Sequence, residues 1–426
     1  MRKKLILVVI DGLTPDAFEA AVERKAAPTL AALTEAGTYA RALSTFPSLT
    51  PVCLASLATG GGPDVHHIPH LVWYHREERR VVEYGSSFGA MRAVGTRRVI
   101  KDAIVEMNAE HLAADAVTVY EALEDSGLVT AAVNVPCYRG RTKYVPSVPG
   151  MVGPVNGPRR FFYYNLFESD VTGAPLAVRG RALGSIDAYA AAVGRWLVTR
   201  DGFDFLFFYL PDYDFASHAL GPTGADEALA RSDRAVGGLV EAAGGLDAFL
   251  ERYDVVLCSD HGQTHVDRAL RLQDLVTDPQ AIVTASNRAG MVYVDGDARA
   301  VAERLARADG IGTALFRESD EFYAIRNDEL VELARTDGDW RSRAWHALAN
   351  PNAGDVIVSA ARGAEFIDLG GRHHVGGGSH GSLDDGDSLV PMLVVGDATP
   401  PASITGVAPL VLKHFGVEAP AYARAA

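Results

Sequence analysis

Consecutive rather than alternating apolar residues mark the chain at positions 5–10, 129–133, 203–209, 255–258 and 392–395. A strand that is apolar at every position has both faces covered, as in a parallel sheet held between helices. Between these runs, apolar residues recur at helical spacing over positions 29–36, 118–125, 185–199 and 226–243. Strands alternating with helices predict an α/β fold, with a mostly parallel central sheet and helices on both faces. Two stretches break the alternation. Residues 63–95 are rich in His, Arg and aromatic side chains and show no period. Residues 273–349 carry a pattern of their own: a strand at 290–294, a helix at 298–308, a strand at 321–325 and a helix from Asn327 onward. We read them as an α/β cap inserted within one catalytic domain spanning 1–426. Neither internal repeats nor low-complexity tracts are present, and nothing in the pattern specifies an oligomeric state.

Composition narrows the function. The 426 residues are 48% hydrophobic, enough for a large core, and 22% charged, which is ordinary for a globular chain. A net charge of −14 argues against a nucleic-acid polymer as partner, since that needs a basic face. Small phosphorylated substrates stay open, because bound cations reverse the local field. The three cysteines, Cys53, Cys137 and Cys258, are too few for a disulfide framework and too widely spaced for a zinc ribbon. They favour a reducing compartment. The basic start is followed by an apolar stretch that is short, ends in Asp11 and lacks a small-residue cleavage site. No run is long enough to span a bilayer. These features predict a cytoplasmic chain without a membrane partner.

Chemistry enters at the strand ends. The first run leads into Asp11-Gly12, the third into Asp212 and Asp214, and the fourth into Ser259-Asp260-His261-Gly262. Parallel strands would bring these acids to one sheet edge, where open α/β sheets bind ligands. A single strand-terminal Asp is as readily a turn former or helix cap; three, two of them with a nearby His, are harder to explain so. Asp214 and His218 lie one helical turn apart and can face one ion. Asp260-His261 offers adjacent ligands on a tight turn, and His380 sits in the glycine-rich Gly376-Gly-Gly-Ser-His-Gly381. A mixed Asp/His set suits Zn²⁺, and less selectively Mn²⁺ or Fe²⁺. A nucleophile is available in Thr50, followed by Pro51 and a helical stretch, which makes it the expected N-cap. An oxygen at a helix N-terminus lies where an anion is stabilised.

Taken together, Asp11-Gly12, Phe46-Pro-Ser-Leu-Thr50, Thr59-Gly60, Pro63 to His66, Asp214 to Pro222, Ser259-Asp-His-Gly262 and His380-Gly381 occur in an order that resembles the alkaline phosphatase superfamily. The similarity is to its type I phosphodiesterase/nucleotide pyrophosphatase branch. The resemblance implies an alkaline-phosphatase-like fold and two divalent metal ions, zinc in most relatives. One would be held by Asp214, His218 and His380, the other by Asp11, Thr50, Asp260 and His261. Thr50 would attack phosphorus in line, giving a phosphothreonine intermediate that water hydrolyses. Three positions depart from the pattern: Cys53 where phosphodiesterases carry Asn, Leu49 where Lys is common, and His67 where Gly follows His66. A phosphomonoesterase, phosphonate hydrolase or phosphomutase of the same superfamily are alternatives, and a non-catalytic metal-binding module is one of a different class. A sulfatase is excluded, because Thr50 cannot become formylglycine and Cys53-Leu-Ala-Ser-Leu57 lacks the required motif. His66, His67, His70, His75, His373 and His374 are more readily structural or surface residues than ligands. Trp73-Tyr74 and residues 161–164 are more readily core than pocket.

Overall fold

The computed structural model describes residues 3–147, 150, 152–164, 166–168, 185–336 and 340–423. Its main sheet has eight strands in the order Thr38–Leu43, Leu389–Val395, Tyr253–Cys258, Lys4–Ile10, Phe205–Leu210, Thr130–Val133, Arg160–Tyr163 and Phe167–Glu168. The five from Tyr253–Cys258 to Arg160–Tyr163 run parallel. Antiparallel pairs close both sides. The apolar run at 392–395 is therefore not a parallel strand; it is continuously apolar because its neighbours and helices cover it on both faces.

Period-two alternation divides the core. Leu5, Leu7 and Val9 point to one face with Phe205 and Phe207, under the helices Thr50–Thr59, Val119–Asp125 and Val407–Phe415. Ile6, Val8 and Ile10 point to the other with Leu206 and Phe208, under Pro15–Glu23, Pro28–Ala36, Ile186–Thr199 and Asp226–Ala243. Full burial of each strand (Ile6, Val9 and Ile10 are 0% exposed) yields roughly 25 cal/mol per Å² of apolar surface removed from water. None of the described helices is long and apolar enough to cross a membrane.

A second, antiparallel sheet of six strands runs from Ile282–Ser286 to Val356–Ala360, in the order Ile282–Ser286, Ala289–Tyr293, Val356–Ala360, Ile311–Glu318, Glu321–Arg326 and Glu329–Glu332. It overlaps the expected 273–349 insertion and includes one strand beyond it. The helix expected from Asn327 does not form there. Asn327 and Asp328 both have positive φ, 53° and 62°, and make the two-residue turn of a hairpin. Asn and Asp tolerate that conformation, and such turns match the twist of paired strands. The helix begins later, at Trp340–Ala349. Within residues 63–95 the structure has a short helix, Pro63–His66, a hairpin of Val72–His75 with Arg80–Glu83, and the helix Phe88–Val94.

Candidate metal centre and nucleophile

The parallel strands deliver their carboxyl ends to one edge, as the apolar runs imply. Asp11 follows Lys4–Ile10, and Asp260-His261 follows Tyr253–Cys258. The strand Phe205–Leu210 leads into the helix Asp212–Leu220, which carries Asp214 and His218 at i and i+4. Gly12 is required between them: its φ is +68°, and a Cβ there would lie 2.7 Å from Asp214 Oδ1. The seven residues expected at the site meet here. His261 Nε2 is 3.2 Å from Asp11 Oδ1 and 3.5 Å from Asp260 Oδ2. His218 Nε2 is 3.2 Å from Asp214 Oδ2, and His380 Nε2 is 3.8 Å from Asp214 Oδ1. The rings of His261 and His380 stack at 3.6 Å. Thr50 Oγ1 lies 3.2 Å from His261 Nε2.

One expectation is corrected in detail. Thr50 is not the N-cap but the first helical residue; Leu49 takes the cap position and no side chain caps the helix. The Thr50 hydroxyl is thereby free of the helix and turned to His261.

The donor set fits divalent cations. Asp11, Asp260 and His261 place ligand atoms within 4.8 Å of one another, as do Asp214, His261 and His380. Asp11 Oδ1 and Asp260 Oδ2 are buried and accept no hydrogen bond. Each histidine gives its Nδ1–H to a backbone carbonyl: His218 to Gly378 and His380 to Ser48, both at 2.8 Å, and His261 to Gly262 at 3.0 Å. A carbonyl can only accept, so Nδ1 carries a proton in each ring, which leaves Nε2 as the atom that would face a cation.

Electrostatics points the same way. Burial, then Asp260 and Asp214, pushes Asp11 well above the ordinary carboxylate range. Burial likewise raises Asp260, against the opposing pull of His261. Asp214 is also penalised by burial, but His218, His380 and His261 outweigh it and hold that carboxyl low. His218 is raised in turn, Asp214 overcoming the burial that would lower it. Burial and the neighbouring His261 push His380 down. Three buried carboxylates this close repel one another until cations neutralise them.

Several neighbours carried no sequence signal. Tyr209 donates to Asp11 Oδ2. Gln263 donates to Asp214 Oδ1 and accepts from Ser217 at 2.6 Å. Asn287 Nδ2 donates to His380 Nε2 at 3.1 Å. Gln263 follows the Ser-Asp-His-Gly motif directly, which is the one hint available. Other candidates are structural. Asp212 accepts from the amides of Ile186 and Asp187 and stands apart from both ligand groups. His66 bonds Ser56 and the Ile68 amide, its imidazole pushed down to about 3 by burial. His70 receives the Val72 amide. Trp73 is fully buried, and Phe161 packs on Tyr138 and Phe167. Cys53 is buried against Ser44 at 3.2 Å and Thr45 at 3.5 Å, so its thiol lies in the core and offers nothing to a substrate.

A parallel sheet with Asp and His along its carboxyl edge, facing a hydroxyl on a helix N-terminal turn, belongs to the alkaline-phosphatase-like hydrolases. The chain is a member of the type I phosphodiesterase / nucleotide pyrophosphatase family, whose model matches residues 5–383. It is thus a phosphoric ester hydrolase of a metal-dependent family. No curated protein matches the sequence significantly. Among solved structures it is similar to the phosphonoacetate hydrolase of Sinorhizobium meliloti 1021 in complex with phosphonoformate, with TM-score 0.67, 19% identity, and 97% of this chain and 96% of that one covered. It is also similar to murine ectonucleotide pyrophosphatase / phosphodiesterase 5, with TM-score 0.67, 14% identity and coverage of 98% and 96%. An inactive threonine-to-alanine variant of the murine protein was solved with AMP. At these identities the likeness is one of fold.

Proposed function

We propose that the chain hydrolyses phosphodiesters or pyrophosphate-linked diesters through a phosphothreonine formed at Thr50, with two divalent ions, Zn²⁺ foremost. The observation that carries this reading is the Thr50 hydroxyl, 3.2 Å from His261 Nε2, beside the unsatisfied oxygens of Asp11 and Asp260. Asp214, His218 and His380 would hold one ion; Asp11, Thr50, Asp260 and His261 the other. Bound ions of this kind neutralise the carboxylates, ease ionisation of the nucleophile and stabilise the departing oxygen. Thr50 Oγ1 forms the new bond to phosphorus as the bond to the ester oxygen breaks, and the proton that Thr50 gives up ends on that departing oxygen. The N-terminal turn of Thr50–Thr59 turns its amides toward the charge that develops. Water then cleaves the phosphothreonine, and Thr50 recovers its proton. The inactive threonine variant of the murine structure supports this role for Thr50, and its AMP supports a small phosphorylated substrate. The antiparallel sheet is read as the inserted cap, and three buried free thiols accord with a cytoplasmic setting.

A diester is favoured over a monoester by charge. A monoester reaches the site near neutral pH as a near-dianion, whose extra charge calls for a further cation. Residues 42–65 contain no Lys or Arg. The groups that bear most on Asp11, Asp214 and Asp260 are one another, the three histidines and Tyr209, with no Lys or Arg among them. On one zinc-loaded preparation, kcat/KM for bis-p-nitrophenyl phosphate should exceed that for p-nitrophenyl phosphate at least roughly tenfold, about 1.4 kcal/mol of transition-state preference. Equal or reversed values would make the protein a phosphomonoesterase. A second reading, a phosphonate hydrolase, draws on the Sinorhizobium meliloti structure. Phosphonoacetate in the same assay separates it: turnover exceeding that of the diester would favour it.

A further inference from the structure

We propose that Glu365 and His374 form a positioning pair that fixes the imidazole of His218 and so sets how tightly that side of the centre holds a divalent cation. The inference rests on the two-metal reading above. Its observation is different: a buried carboxylate whose bonds all run to one histidine, which in turn lies flat against a metal-binding ring. The Glu365 side chain is fully buried. One of its oxygens accepts from the His374 backbone amide, and the other from His374 Nδ1 at 2.9 Å. Among the described residues no Lys or Arg pairs with it. Burying a carboxylate without a strong counter-charge is costly, so this arrangement stabilises little for its own sake.

What it does achieve is placement. The His374 ring stacks on His218 with centroids 4.2 Å apart and planes 27° from parallel. His261 and His380 brace each other by their own stack. His218 is the outermost of the three, its side chain 11% exposed against 0% and 3%. Its contacts with Gly378 and Asp214 hold two points on the ring's edge, but edge contacts leave the ring free to tilt about the line joining them; a face contact removes that freedom. Glu365 can brace His374 because its strand, Ala364–Phe366, is pinned. Arg288 Nε donates to the Ala364 carbonyl at 3.0 Å, and the Phe366 amide donates to Asn287 at 2.6 Å. Supporting partners of metal-binding histidines commonly carry a 10–100-fold effect on affinity.

The test titrates Zn²⁺ into chelator-stripped protein against a chromophoric competitor. A parent that takes up no zinc would sink the two-metal reading itself, before this inference is reached. With two equivalents bound by the parent, His374→Ala should weaken one of them about 10–100-fold and leave the other unchanged. Glu365→Gln should weaken the same one, because its amide presents a donor to a donor. His374→Phe, which keeps the stack and loses the ring's bond to Glu365, should fall between His374→Ala and the parent. Parent-like titration of both equivalents in His374→Ala and Glu365→Gln would overturn the proposal. So would an equal weakening of both equivalents, or a His374→Phe variant no better than His374→Ala. If His374→Ala does not fold by circular dichroism, Glu365→Gln and His374→Phe decide the matter.

Discussion

Thr50 opens its helix without capping it, and its hydroxyl faces His261 Nε2, the ring nitrogen not engaged by the Gly262 carbonyl. A hydroxyl so placed stands at the same ring nitrogen that lies 3.2 Å from Asp11 Oδ1, at the heart of the ligand set. Thr50→Ala should therefore lower kcat at least about a thousand-fold on the diester, since loss of a nucleophile leaves only the surrounding stabilisation. Thr50→Ser should retain substantial turnover, and metal content should stay near the parent value in both. A Thr50→Ala enzyme as fast as the parent would hand the attack to water. Of the seven candidate residues, Asp11, Asp214, His218, Asp260 and His261 were legible because each lies where an apolar run ends or one helical turn beyond, Thr50 because a Pro-started helix follows it, and His380 because it sits in a glycine-rich loop. Tyr209 and Gln263 were not: a tyrosine inside an apolar strand reads as core, and it is core apart from its hydroxyl. The burial of Cys53 against Ser44 and Thr45 agrees with its standing as a departure from the family pattern, although its place in the chain did not say which face of the helix it occupies.

At the scale of elements, the centre depends on how the second sheet is fastened to the first. Arg288 and Asp387 form an ion pair at 2.6 Å with both side chains fully buried. Asp387 also accepts from Thr264 at 2.5 Å and from Ser382 at 2.6 Å, while its carbonyl takes the Gly262 amide at 2.9 Å. The Arg288 amide donates to the His380 carbonyl at 2.8 Å. One pair thus joins the turn that carries Asp260 and His261 to the loop that carries His380. Asp387→Asn leaves the arginine buried without its counter-charge and should cost about 3–5 kcal/mol of stability. Thermal unfolding should show a clear loss of Tm that added salt does not remove, because a buried pair is poorly screened. A Tm within a degree of the parent would mean that the pair fastens nothing. Neither partner was legible: a buried Arg is rare, and its place in the chain follows no period. The hairpin at Asn327-Asp328 was missed because helical spacing and a polar turn look alike until the strands pair. The main sheet was legible because burial on both faces leaves the strongest mark a strand can make.

For the whole molecule, the sheet brings Asp11, Asp214 and Asp260 together, and this makes folding, cation binding and pH interdependent. In the metal-free protein Asp11 and Asp260 are raised above their unfolded values, chiefly by burial. A group raised in the folded state contributes stability below its unfolded pKa and loses that contribution as pH rises through the folded one. Above pH about 4, then, the two carboxyls increasingly destabilise the metal-free fold. Bound cations remove the penalty, since ligation requires the ionised form. His66 and His70 act oppositely: burial lowers them to about 3 and about 4, so their contribution is present above the unfolded pKa and is lost as pH falls. They lie outside the ligand groups and weigh equally on both forms of the protein. Subtracting the unfolding free energy of chelated protein from that of zinc-loaded protein therefore cancels them and isolates the centre. The difference should widen from pH 5 to pH 8, by up to about 1.4 kcal/mol per pH unit for each proton that binding displaces. At free zinc roughly a hundredfold above Kd, each ion should add about 2.7 kcal/mol. A difference that stays flat across this range, or narrows as pH rises, would show that the carboxyls at the sheet edge are already ionised without metal, and that repulsion among them is not what the cations relieve.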